Sequence, residues 1–92
     1  MNQVEILAKK LGFPDLINSN RNQINSAARQ VISFYLKEEG YTEAEIAKMQ
    51  RKSRASIYHH IKTFIELYEL NDPLIVGLYE KLLKECNSQS AK

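Results

Sequence analysis

Apolar residues recur at the three-to-four-residue spacing of an α-helix along nearly the whole chain, and nowhere do they alternate long enough to build a strand. A chain patterned in this way is confined to helical architectures, and its few breakers cut it into pieces. Val4, Leu7, Ala8 and Leu11 form a short apolar stripe that Gly12 stops, with Pro14 marking the turn beyond it. That predicts a first helix of about two turns. Ile24, Ala28, Val31, Ile32 and Tyr35 share one face of a long helix over residues 21–39, and Gly40 supplies its stop.

The run TEAE at residues 42–45 is a capping box, in which Thr42 accepts from the amide three residues on while Glu45 reaches back. A short helix over 43–49 should follow, burying Ile46 and Ala47. Gln50, Arg51 and Lys52 are too few and too polar for anything but a tight connection. Ser53 then caps a new helix with Ile57, Ile61, Phe64, Ile65 and Tyr68 on its apolar stripe and Arg54, Ala55, Ser56, His59 and Thr63 turned outward. Pro73, after the capping candidate Asp72, opens a last helix that buries Leu74, Leu78, Leu82 and Cys86, flanked by Ile75 and Leu83. Two helices joined by three or four residues follow the helix-turn-helix plan. The expected fold is therefore all-α, with four to five helices, a helix-turn-helix at about 43–70, one domain over 1–86 and a disordered tail over 87–92.

Composition narrows the function classes. Ninety-two residues suffice for one small domain with a modest core, and a single cysteine, Cys86, rules out a disulfide framework. No apolar run approaches the roughly 20 residues of a membrane span, and the N-terminus lacks a basic-then-apolar leader. A soluble, cytoplasmic setting without membrane contact is the expectation. Three glycines make no phosphate loop, and no paired acids or nucleophile–base set can be placed, so neither an enzyme nor a cofactor is expected. His59 and His60 point about 100° apart on a helix, which is a poor grip for one metal ion.

Charge is informative by position. The fifteen residues KMQRKSRASIYHHIK, from Lys48 to Lys62, hold Lys48, Arg51, Lys52, Arg54 and Lys62 with no acid, while the rest of the chain carries more acids than bases. Basic charge gathered where a turn feeds a helix is how a helix-turn-helix protein meets a DNA groove. On this basis Arg54 is the candidate base reader, since guanidinium can donate twice to guanine O6 and N7. Ala55 allows close approach or touches a thymine methyl, and Ser56 bonds a base edge or phosphate. Arg51 and Lys52 are placed to hold phosphates, beside the amides of the helix start at Ser53. His59 and Lys62 complete the candidate face, with binding favoured at low pH where His59 contributes. Tyr35 and Tyr68 lie on apolar stripes and are expected in the core; Tyr58 sits beside the outward face.

These residues resemble a known family. The order VEILAKKLGF, SNRNQINSAARQVISFYL, YTEAEIAKM and RKSRASIYHHIK, over roughly residues 3–66, is similar to the C-terminal DNA-binding domain of the bacterial replication initiator DnaA, of the Trp-repressor-like helix-turn-helix group. The resemblance implies that Arg21 reaches a minor groove and that Arg29 contacts a phosphate; as sequence alone, both also suit exposed helix positions. Lys52 stands where that family has Arg, Ser53 where it has Asp, Arg54 where it has His, and Ala55 and Ser56 where it has a Ser/Thr pair, while His59 matches. The Asp-His-x-Thr signature is thus absent, and with it the expectation of the initiator's own target sequence. The expected function is double-stranded DNA binding by a regulator of transcription or replication, bacterial, plasmid or phage. The alternative is a helical protein-interaction or homodimerisation module using the last helix, residues 73–86.

Overall fold

Among the described residues five α-helices follow one another: α1 (Gln3–Leu11), α2 (Gln23–Glu38), α3 (Glu43–Gln50), α4 (Arg54–Glu69) and α5 (Pro73–Ser90). A 3-10 turn, Leu16–Asn18, lies between the first two, and no strand occurs among the described residues. The computed structural model describes residues 2–18 and 22–90, with side-chain surroundings for 2–17 and 22–86.

The starts of α1 to α4 each have a local cause. Asn2 and Glu5 form a capping box on α1, as Thr42 and Glu45 do on α3. Asn22 accepts from the Asn25 amide at 2.8 Å and Ser53 from that of Ser56 at 3.1 Å. The ends of α1 to α4 share one device. Gly12, Gly40, Arg51 and Asn71 all have positive φ, and after each the next amide donates back across the turn: Phe13 to Ala8, Tyr41 to Leu36, Lys52 to Ala47 and Asp72 to Leu67. These paired closures are Schellman motifs.

Arg51 is the costly member of this set. At φ 57° it holds a left-handed conformation that glycine takes without penalty and that costs other residues roughly 1–2 kcal/mol. Arg51→Gly is expected to stabilise the domain by about 0.5–1 kcal/mol after the extra freedom of glycine in the unfolded chain is deducted. Urea denaturation reads this directly. A lower midpoint would mean that the Arg51 side chain makes contacts that outweigh its backbone cost.

α2 is the axis of the molecule and packs against all four other helices. Its small residues Ala27, Ala28 and Ser33 allow that approach, and Val31, Ile32 and Leu36 fill the space between. Val4, Leu7 and Leu11 of α1, Ile46 of α3, Ile57 and Phe64 of α4, and Ile75 and Leu82 of α5 complete one continuous core. The radius of gyration, 12.1 Å, is what a folded domain of this length should have, about 12 Å.

Several apolar faces differ from the sequence expectation. Ile65 and Tyr68, expected on the buried stripe of α4, are 42% and 39% exposed. At 100° per residue, Ile65 lies about 80° around the axis from Ile57, on the flank. Tyr68 instead covers the edge of an aromatic cluster, stacked on Phe64 at 5.4 Å. Ile24, on the first turn of α2, is 46% exposed. On α5, Ile75 and Leu82 are the fully buried positions, while Leu74 and Leu78 are half-buried. Gln50, expected in a polar connection, is the last residue of α3 and is buried. The backbone of α5 continues to Ser90, into the stretch expected as a tail; residues 91 and 92 lie outside the described residues.

Two tyrosines link this packing to pH. A hydrogen bond to Cys86, then burial, raises the Tyr35 phenol above its ordinary range; burial, then Glu38, raises that of Tyr79. Phenols whose folded-state pKa is raised contribute stability that is complete below the unfolded value, about 10, and is lost as the pH climbs toward the folded one. Denaturation midpoints should fall above about pH 10, and Tyr35→Phe should flatten that limb. An alkaline limb unchanged in Tyr35→Phe would remove this phenol from the linkage.

Candidate nucleic-acid interface

Three residues, 51–53, connect α3 to α4, and buried polar ties fix the approach from behind. Gln50 Nε2 donates to Ser33 Oγ at 2.6 Å and to the Arg29 carbonyl at 3.4 Å, both on α2. Ser33 Oγ lies 3.4 Å from His60 Nδ1, so one polar chain joins α3, α2 and α4. Gln50 Oε1 is buried without a hydrogen-bond partner. From the other side, Asn2 Nδ2 donates to the Met49 carbonyl at 3.1 Å, tying the start of α1 to the end of α3. These ties hold the end of α3 against α1 and α2, and His60 ties α4 to the same serine of α2.

Along α4 the outward ridge is Arg54, Ala55, Tyr58, His59 and Lys62, all exposed. The ridge is sorted by charge: its first turns carry Arg54 and Lys62, and acids appear only later, at Glu66 and Glu69. The side chains of Arg51, Arg54 and Lys62 make no hydrogen bond or ion pair among the described residues. Ser53 Oγ, the helix cap, also lies 3.0 Å from Ser56 Oγ, which orients the second hydroxyl on the first turn. The free N-terminal amides of α4 add a partial positive charge to the same end. Tyr58 is 55% exposed, with its ring edge-on to that of His59.

Ser56, His60 and Thr63 lie a quarter-turn away and face α2 instead. There they meet Ser26, Arg29 and Gln30 across a polar cleft of ≈ 290 Å³, which Lys52 and His59 also line. Arg29 departs from both sequence readings, since it is neither exposed nor an outward phosphate contact. It is 3% exposed, and its Nη2 donates to the Leu16 carbonyl at 2.8 Å, holding the 3-10 turn against α2. Arg21 lies outside the described residues.

The structure thus brings Lys52, Ser56 and His59 together with Arg29, and spreads Arg51, Arg54, Ala55 and Lys62 over the adjoining outer surface. Ser26 and Gln30 had escaped sequence reasoning. Their spacing of four on α2 was a visible signal, but which face of α2 meets α4 was not. Among the described residues, no three of His, Cys, Asp and Glu come together as a metal site, and no helix is long and apolar enough to cross a membrane. Compared with known proteins, the chain matches no family model, no curated protein and no solved structure.

Proposed function

We propose that this chain binds double-stranded DNA through a helix-turn-helix formed by α3, residues 51–53 and α4, with α4 as the recognition helix. The observation that carries the proposal is the acid-free, outward ridge at the start of α4, with arginine and lysine side chains that the fold does not engage. In this role Arg54 reads a base edge, Ala55 permits close approach, and Ser56 and His59 contact base or backbone. Arg51, Lys52 and Lys62 neutralise phosphates. Tyr58, between Arg54 and Lys62 on the same ridge, gives the groove an aromatic contact. Regulation of transcription or replication is the setting that suits a small sequence reader.

Fluorescence anisotropy against a random-sequence duplex pool, with bound DNA recovered and sequenced, tests the proposal. Neutralising the three phosphates assigned to Arg51, Lys52 and Lys62 predicts a slope of log K against log salt of roughly −3. An enriched motif together with that slope supports a sequence reader. Absence of binding even at low salt would sink the proposal. Docking through α5 is less favoured, because its apolar residues up to Cys86 are buried or half-buried against α1, α2 and α4.

A further inference from the structure

The cleft between α2 and α4 has a chemistry of its own. Its lining includes Arg29, Lys52, His59 and His60, with Gln30 and Ser56 as neutral hydrogen-bonding residues, and no acidic residue lines it. Two of these residues are anchored rather than swinging: Arg29 by the Leu16 carbonyl and His60 by Ser33, which Gln50 holds in turn. Donors fixed in place lose little freedom on binding, and a guanidinium suits the oxygens of a phosphoryl group. At ≈ 290 Å³ the cleft lies just under the about 300–1,000 Å³ of sites that enclose drug-sized ligands. It therefore suits a compact anion.

Depth distinguishes between kinds of phosphate. Arg29 is 97% buried, so its charge is recessed below the exposed ridge of α4. A terminal phosphate can enter end-on, whereas a diester flanked by two sugars on a stiff duplex is held outside. We propose that the cleft binds inorganic phosphate or the terminal phosphate of a small phosphomonoester. Lys52, Ser56 and His59 belong both to this cleft and to the proposed DNA face, so an occupied cleft opposes duplex binding. This competition rests on the DNA-binding proposal; phosphate binding itself does not.

The chain has two histidines, both on the cleft, so their imidazole signals in NMR report on it without interference. At fixed pH and ionic strength, inorganic phosphate should shift both signals saturably, with chloride inert and dimethyl phosphate, a diester, at least tenfold weaker. Gln30→Glu adds a carboxylate to the wall and should weaken phosphate binding at least tenfold, with circular dichroism and melting confirming that the variant is folded. Shifts that follow chloride equally, or a Gln30→Glu titration like that of the parent, would overturn the site. Equal response to dimethyl phosphate would overturn the preference for a terminal phosphate and make the cleft a seat for the nucleic-acid backbone. In a second arm, phosphate at constant ionic strength should release bound duplex. Saturable phosphate binding by a protein that binds no duplex would leave the site standing and sink the DNA proposal; duplex binding with a silent cleft would do the reverse.

Discussion

Arg54→Ala is expected to weaken binding to the preferred duplex by about 1–3 kcal/mol, roughly 5- to 150-fold, while affinity for unrelated duplexes changes little. The side chain is exposed, one residue beyond the Ser53 cap, and no described residue depends on it. Its removal should therefore leave stability within about 0.5 kcal/mol, and the loss belongs to the interface. Lys52→Gln should behave differently, weakening all duplexes alike and reducing the salt slope by about one, because a phosphate contact carries no sequence information. Selection on random duplexes with both variants separates these roles. Equal, sequence-independent losses from both would remove Arg54 from base reading.

Phe64→Ala should unfold much of the margin on which the domain lives. Phe64 is 2% exposed and stacks on Phe34 at 4.4 Å, while Tyr79 meets it edge-on at 5.1 Å. Truncating such a ring costs about 3–5 kcal/mol, through lost burial and the cavity left behind. Domains of this size have roughly 5–14 kcal/mol in all. Thermal melting should move down by on the order of 20 °C. Tyr58→Ala is the matched control, since that ring is 55% exposed, and should stay within about 0.5 kcal/mol. A loss below about 1 kcal/mol for Phe64→Ala would mean that α4 does not pack on α2 and α5 as described.

What the sequence disclosed follows from which forces are local. Caps at Thr42 and Ser53 and stops at Gly12 and Gly40 are made by residues within a few positions of one another, and they are legible as patterns. Arg51 closes α3 with the same hydrogen-bond pattern as the glycines, yet nothing in its side chain announces a left-handed backbone. Burial of Gln50 and Arg29 was illegible for a related reason. Each is polar, and each is tolerated inside only because a partner distant in sequence, Ser33 or the Leu16 carbonyl, stands opposite. The outward ridge of α4 could be read from periodicity alone. Its neighbouring cleft needed the relative placement of two helices, which periodicity does not encode.

Contact between the first and last helices sets a timetable for synthesis. Lys81 Nζ donates to the Leu11 carbonyl at 3.2 Å, and Leu82 joins the core that also holds Val4, Leu7 and Leu11, about 70 residues earlier in the chain. At roughly 5–20 residues per second, translation needs about 4–14 s to make the second half of that contact after the first. During this interval α1 has only part of its cover, so a nascent chain stalled before α5 emerges presents an unfinished apolar stripe to whatever waits at the ribosome.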